Sequence, residues 1–120
     1  MDDWVKLVTE ANKTAKTDFG KAVTLYEEGE KKFSGNPLFL LHFGKLYHDV
    51  KKYKEAIQCY DKSLEIEPND ATTLNNKGLA LRNLGRYEEA IQCYDKSLEI
   101  RPNDATTLKN KRIALKDMNK

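Results

Sequence analysis

Apolar residues in the middle of the chain recur at intervals of three and four positions, the spacing of one face of an α-helix. The first stripe comprises Tyr53, Ala56, Ile57, Tyr60, Leu64 and Ile66, and the second comprises Leu74, Gly78, Leu81 and Leu84. Pro68 ends the first helix because proline cannot continue the hydrogen-bond ladder. Asp70 can cap the amides of the second helix, and Gly85 suits a left-handed turn after it. The pattern predicts two helices joined by very short turns.

The helix pair is duplicated along the chain. Residues 53–74 read YKEAIQCYDKSLEIEPNDATTL, and residues 87–108 read YEEAIQCYDKSLEIRPNDATTL, at an offset of 34 positions. The two segments differ only at Lys54/Glu88 and Glu67/Arg101, so 20 of 22 positions are identical. A period of this length is typical of proteins built by stacking one supersecondary unit.

The residues that recur resemble the tetratricopeptide repeat (TPR) family, whose 34-residue unit carries a tryptophan, leucine–glycine, tyrosine, alanine, aromatic and proline pattern. Residues 37–70 supply Leu40, Phe43, Gly44, Tyr47, Ala56, Tyr60 and Pro68; residues 71–104 supply Leu74, Lys77, Gly78, Leu81, Ala90, Tyr94 and Pro102. Leucine stands for tryptophan in both units, and Lys77 departs from the usual apolar residue. The near-identity of the units is similar to TPR arrays of archaea and bacteria.

The resemblance implies an all-α fold, a right-handed α-solenoid of three helix-turn-helix units and a C-terminal capping helix. We expect one domain over 1–120, with a degenerate unit at 3–36, units at 37–70 and 71–104, and the capping helix at 105–118. In the first unit Ala22 and Tyr26 fit the pattern, whereas Glu10 occupies the glycine position. In the capping helix Arg112 replaces the glycine, where no second helix requires a close approach.

Composition narrows the class of protein. The chain is 39% hydrophobic and 33% charged, and its net charge of +2 is too balanced for general nucleic-acid binding. It contains no apolar run long enough to span a membrane, and its acidic start does not resemble a secretory leader. Cys59 and Cys93 are equivalent positions of the two units, so repetition explains their spacing. Free thiols favour a reducing, cytoplasmic setting.

No constellation of residues predicts catalysis or metal binding. His42 and His48 are six positions apart and do not share a helix face as metal ligands would. The chain contains no zinc-protease motif, phosphate-binding loop or dinucleotide-binding glycine pattern. We therefore expect neither an enzyme nor a cofactor.

In the TPR family, the first helix of each unit lines a concave groove that binds an extended or helical peptide. The resemblance implies that this chain is a protein–protein interaction module that holds a partner's peptide segment. Carried over by position, the groove residues are Leu38, Leu41, His42, Lys45, Thr72, Asn75, Asn76, Leu79, Arg82, Asn83, Lys109, Ile113 and Lys116. Asparagine offers both a donor and an acceptor to a peptide backbone. The same asparagine and threonine residues also suit helix capping, so both interpretations stay open.

The distribution of charge suggests a preference among peptides. Basic residues favour the inner helices and acidic residues the outer ones; the inner cations include Lys77, Arg82, Lys109, Lys111, Arg112 and Lys116. We hypothesise a preference for acidic or C-terminal-carboxylate peptides, the alternative being that these are simply solvated faces. The two-carboxylate clamp of the family's chaperone-tail binders is not expected. Of its positions, which fall on Leu41, Lys45, Asn76, Thr106 and Asn110, only Asn76 matches.

Two further functions remain as alternatives. Apolar residues at the ends of the array, around Trp4, Leu7 and Val8 or around Ile113 and Met118, could support a structural, homo-oligomerising role. Single-stranded RNA binding would need aromatic residues among the basic inner positions, and the aromatic residues there are better explained as core.

Overall fold

The computed structural model describes residues 2–120 and contains seven α-helices in that range. They are α1 (Asp3–Ala15), α2 (Phe19–Phe33), α3 (Pro37–Asp49), α4 (Tyr53–Ile66), α5 (Ala71–Asn83), α6 (Tyr87–Ile100) and α7 (Ala105–Met118). These described residues include no strand, and the predicted all-α class is confirmed.

Each helix packs most extensively on a neighbour in the chain. The helices α1 and α2, α3 and α4, and α5 and α6 form pairs, and α7 packs on α6. The pairs stack along one direction, giving a helical-repeat solenoid in which contacts are made between neighbours. The number of units, their boundaries and the right-handed sense stay predictions.

Polar side chains set where the helices begin. The side chains of Asp18, Asn36, Asp70 and Asp104 each accept a hydrogen bond from backbone amides of the following helix. The predicted left-handed turn is present at Gly85, with φ +79°. Lys51, which lies 34 residues earlier, adopts the same conformation with φ +65°. The two turns therefore have the same shape although only one has a glycine.

Two glycines allow the inner and outer helix of a pair to approach closely. A Cβ atom added at Gly78 would lie 2.5 Å from the Tyr94 ring, and one at Gly44 would overlap the Tyr60 ring. Both rings are almost completely buried. The requirement for a residue without a side chain, expected from the repeat, is thus explained by the tyrosine that packs on it.

A second repeated contact involves small polar residues. Ser63 Oγ donates a hydrogen bond to the carbonyl of Pro37, and Ser97 Oγ donates to that of Ala71, both at 2.9 Å. Each bond joins an outer helix to the first turn of its inner partner. Because buried hydroxyl groups require partners, the bond fixes the helices against sliding.

The first helix has a register that the sequence pattern did not predict. Glu10, expected at the glycine position, is exposed, whereas Ala11 is fully buried. Burial of Val8 and Ala11 matches that of Leu41 and Gly44, which lie 33 residues later rather than 34. The α1 helix is therefore shifted by one residue relative to α3, and the expectation that Glu10 replaces the glycine is wrong.

The turn after α1 accounts for this shift. Among residues 2–120, positive φ values occur at Lys51 and Gly85, so the α1–α2 turn lacks the left-handed residue of the later turns. With the turn changed, Asn12 lies where its Oδ1 accepts a hydrogen bond of 2.7 Å from the hydroxyl of Tyr26.

Substitution of Gly78 by alanine tests the close approach of α5 and α6. The new methyl group would overlap the Tyr94 ring, and we expect the free energy of unfolding to fall by about 1–3 kcal/mol. Gly20→Ala is the control, because its Cβ atom would meet Asp18 at 3.6 Å and no ring. There the preference of alanine for helix raises stability by up to about 1 kcal/mol. Urea unfolding followed by circular dichroism measures both; equal stability of the two variants would contradict this packing.

Candidate functional site

The inner face of the solenoid is formed by the first helix of each pair. The helices α1, α3, α5 and α7 lie against one another in succession. Within residues 2–120 the backbones of the outer helices α2, α4 and α6 do not approach one another, although Lys62 Nζ of α4 reaches Glu30 Oε2 of α2 at 2.7 Å. Helices that converge on one side and diverge on the other produce a curved stack. The odd-numbered helices therefore line its concave side, which we call the inner face.

The structure separates the predicted groove residues by exposure. The half-buried residues are His42, Asn75, Asn76, Leu79, Arg82 and Ile113, and the exposed ones are Leu38, Lys45, Thr72, Asn83, Lys109 and Lys116. Leu41 is only 6% exposed and belongs to the core cluster with Ile57 and Tyr60. Its assignment as a peptide contact is corrected, because its side chain points between the helices of the stack.

Polar and aromatic contacts join neighbouring inner helices. The rings of Trp4 and His42 have centroids 6.2 Å apart, linking α1 to α3. Asn110 Nδ2 donates to Asn75 Oδ1 at 3.1 Å, linking α7 to α5. The Asn75 Oδ1 atom is thus engaged within the fold, so Asn75 keeps mainly its Nδ2 donor group for a ligand. Trp4 and Asn110 were absent from the predicted groove set.

A third contact lies between α3 and α5. His48 Nε2 and Asn83 Nδ2 are 3.5 Å apart, and the His48 ring also packs edge-on against Tyr53. The amide of Asn76, in contrast, makes no side-chain hydrogen bond in the part of the chain described. Of the predicted asparagines, Asn76 therefore has the most complete capacity to bind a peptide backbone.

A cavity of about 490 Å³ opens between α1 and α3. Its lining combines predicted groove residues with residues of α1 and of the turns: Asn12, Ala15, Lys16, Phe19, His42, Lys45, Leu46, Asp49 and Val50. A wider depression of about 960 Å³ borders the exposed side of α1, from Lys6 to Lys21, and includes no predicted groove residue. The smaller cavity is therefore the one that is lined by predicted groove residues, His42 and Lys45.

Two of the basic residues assigned to the inner helices point away from the inner face. Lys77 Nζ lies 2.7 Å from Asp61 Oδ1, and Lys111 Nζ lies 2.7 Å from Asp95 Oδ1, so both pair with outer helices. This contact also explains the lysine at position 77, where the family pattern has an apolar residue. On α3, α5 and α7, the cations without an ion pair in the described chain are Lys45, Arg82, Lys109, Arg112 and Lys116.

Burial determines the protonation of the two histidines. The pKa of His42 is lowered by burial and, secondarily, by the charge of Lys45. The pKa of His48 is also lowered, by burial first and by Arg82 to a smaller extent, against the opposing effect of Asp49. Both imidazoles are therefore neutral at neutral pH.

The lowered pKa values predict a dependence of stability on pH. As pH falls below about 6.5, the unfolded chain binds protons at these histidines before the folded chain does, so folding stability is lost. We expect the free energy of unfolding to decrease from pH 7 to pH 5, and to decrease less in the variant His42→Gln/His48→Gln. Chemical shifts of the histidine ring protons give each pKa directly. A value at or above that of a free histidine for both residues would contradict the burial argument.

The cysteines are not suited to chemistry. Cys59 and Cys93 are free and buried, and burial raises the pKa of the Cys59 thiol to about 12. A thiol that stays protonated is a weak nucleophile. No cluster of three metal-binding side chains occurs among residues 2–120, and no helix there is long and apolar enough to cross a membrane.

The molecule consists of helix pairs that are joined by short turns and stacked with the first helix of each pair on the inner face. This arrangement is that of a helical-repeat protein. The tetratricopeptide repeat family model matches residues 71–104, and a second TPR repeat model matches residues 44–84, so that together they span 44–104. The chain belongs to the tetratricopeptide repeat family. No curated protein matches it by sequence.

Solved TPR structures share the whole fold. The first TPR domain of Spaghetti (RPAP3), bound to the HSP90 peptide SRMEEVD, superposes with a TM-score of 0.86 at 20% identity, over 98% of this chain and 94% of that one. The Sgt2 TPR domain from Aspergillus fumigatus gives 0.85 at 20% identity, over 99% and 81%. MamA from MSR-1 gives 0.81 at 25% identity, over 98% and 68%.

Proposed function

We propose that the inner face binds a peptide segment of another protein, and that this chain serves as an interaction module without catalytic activity. The observation that carries the proposal is the set of side chains along α3, α5 and α7 that reach solvent without an ion-pair or hydrogen-bond partner in the described chain. They include Asn76, Arg82 and Lys109. The helices already hold the backbone of these residues in place, so a ligand has only their side chains to order, and groups that pair with them offset that cost.

The peptide backbone is the part of the ligand that Asn76 suits. Its half-buried amide offers one acceptor and two donors, and it lies on the same helix as Thr72 and Arg82. Thr72 is exposed at the start of α5, and its hydroxyl lies 3.5 Å from Arg101 Nη1. These groups extend along α5, which supports a ligand that follows this helix.

An acidic ligand is supported by the cations that lack ion pairs. Three inner helices carry such cations, namely Lys45, Arg82, Lys109 and Lys116. Lys77 and Lys111 are not included, because their charges are neutralised by carboxylates of the outer helices. Electrostatic complementarity of this kind accelerates association and suppresses basic competitors. The peptide SRMEEVD held by the similar TPR domain contains three acidic residues, and is a suitable first ligand to compare.

The chaperone-tail clamp is not part of the proposal. Two of the positions that the family uses for it, Leu41 and Asn110, are buried, and Asn110 donates to Asn75. They are therefore engaged in packing, and carboxylate binding would depend on other residues.

Selection from a random peptide library tests the proposed preference. Peptides selected on the wild-type chain should be enriched in Asp and Glu relative to the starting library. Arg82→Ala/Lys109→Ala should bind the selected peptides about tenfold more weakly, because two uncompensated cations are lost. The control Lys54→Ala/Lys96→Ala removes the same charge from the outer helices α4 and α6 and should bind as the wild type does. Fluorescence anisotropy measures each Kd.

Two results would overturn the proposal in different ways. Equal weakening by both double variants would show that only net charge matters and that no groove is used. Enrichment of neutral or basic peptides that still depend on Asn76 would retain the groove but reject the acidic preference.

Self-association finds support at one end of the molecule only. The N-terminal residues proposed for it are covered, because Val8 is buried and Trp4 and Leu7 are half-buried. At the other end Ile113 is half-buried, whereas Met118 is exposed together with Leu108 and Leu115. RNA binding has less support: Phe39, Phe43, Tyr47 and Tyr26 pack on one another in the core rather than presenting faces to bases.

A further inference from the structure

The last helix exposes a stripe that an equivalent helix in the same molecule buries. Leu108 and Leu115 of α7 are 42% and 38% exposed, with the exposed Arg112 between them. The residues 34 positions earlier on α5 are Leu74 and Leu81, which are 6% and 1% exposed, and Gly78. We refer to Leu108, Arg112 and Leu115 as the end face.

The end face has the backbone and nearly the sequence of a helix-docking surface. Residues 71–81 read ATTLNNKGLAL and residues 105–115 read ATTLKNKRIAL, so 8 of 11 positions are identical. On α5 this surface is covered by α6. The molecule therefore contains its own example of the partner that such a surface accepts, an amphipathic helix laid along it.

Arg112 restricts the kind of helix that can dock on the end face. On α5 the Tyr94 ring occupies the space above Gly78, where even a Cβ atom would lie 2.5 Å away. A helix packed on α7 as α6 packs on α5 would bring its tyrosine ring onto position 112, where the arginine side chain leaves no room for it. The outer helices of this chain, including those of a second copy, all carry such a tyrosine: Tyr26, Tyr60 and Tyr94.

The charges around the end face indicate which kind of partner helix could bind there. In the described chain Arg112 has no ion pair, Lys111 is paired with Asp95, and Lys109 and Lys116 flank the stripe without acidic partners. A guanidinium group between two leucines is stabilised when a carboxylate covers it, and burying it without one is costly. A second copy of α7 would bring another arginine to the same place, which disfavours a symmetric dimer.

We propose that the end face binds an amphipathic helix of a partner protein, and that this helix carries an acidic residue within its apolar stripe, opposite Arg112. Leu108 and Leu115 pack against the apolar residues on either side of the acid. Arg112 then acts as a selector: it excludes helices of the α6 type and favours acidic ones. This site lies on the end of the stack and borders the inner face at Lys109 and Lys116.

Peptides derived from α6 provide matched probes. The parent peptide spans residues 86–101 of this chain, acetylated and amidated, with Cys93→Ser to prevent oxidation. One probe carries Tyr94→Glu, which places the acid opposite Arg112; the other carries Gln92→Glu, which adds the same charge at an exposed position and keeps the tyrosine. Titration of the full chain, followed by amide chemical shifts, gives both the Kd and the location of binding.

We expect the Tyr94→Glu peptide to bind the wild type at least about tenfold more tightly than the Gln92→Glu peptide, with shift changes centred on α7. In Arg112→Gly the order should reverse, because the space for tyrosine is restored. In Arg112→Gln, which keeps most of the bulk, the preference for the acid should disappear without a gain for tyrosine. Leu108→Ser/Leu115→Ser should abolish binding, and Leu38→Ser, an exposed leucine on α3, should not affect it.

Several outcomes would overturn the proposal. They are equal binding of the two probes to the wild type, absence of binding by both, binding that survives Leu108→Ser/Leu115→Ser, and shift changes centred on α3 and α5 rather than on α7. A concentration-dependent dimer of the wild type that Leu108→Ser/Leu115→Ser abolishes would instead assign the end face to a second copy.

Discussion

The separation of the helices in the pairs α3–α4 and α5–α6 depends on one contact, a tyrosine ring that packs on a glycine of the inner helix. Tyr60 on Gly44 and Tyr94 on Gly78 are the two instances that the repeat made visible. Once these rings fix the distance within a pair, the backbones of the inner helices approach their neighbours, whereas α2 and α4 meet through the long side chains of Glu30 and Lys62. The curvature of the stack, and hence a concave face able to receive a chain, follows from that arrangement because dense packing leaves few alternatives.

The two ends of the molecule show what happens when this contact changes. At the first pair Ala11 takes the place of the glycine, and the turn after α1 adjusts so that alanine rather than Glu10 lies inside. On α7 the residue at the glycine position is Arg112, which leaves no room for a tyrosine ring packed as Tyr94 is on Gly78. The first change preserves helix pairing, whereas the second prevents an α6-like helix from docking.

Much of the fold was predictable because the two almost identical units can be compared with each other within one sequence. The helices from α3 to α6 follow from the stripes and the turn residues of two almost identical units. The register of α1 was not predictable, since it depends on a turn conformation at Lys16 to Asp18 that no repeated residue marks. The site was predicted less well: position in the repeat gives the helix face, but it could not show that Leu41 is sealed in the core. Nor could it show that Lys77 turns outward to Asp61, because a long side chain can reach either face.

The positions at which the repeated units differ connect the fold to its two proposed surfaces. Between residues 71–81 and 105–115 the differences are Asn75/Lys109, Gly78/Arg112 and Leu79/Ile113. The first and third lie at predicted positions of the inner face, and the second lies on the end face. Packing explains why Thr73/Thr107 and Ala80/Ala114 are unchanged, because these residues are fully buried on both helices and a change in volume there is costly. Solvent contact alone permits differences at many other exposed positions, yet the outer helices α4 and α6 differ only at Lys54/Glu88. The units therefore diverge mainly on the inner helices, where a ligand would discriminate between them.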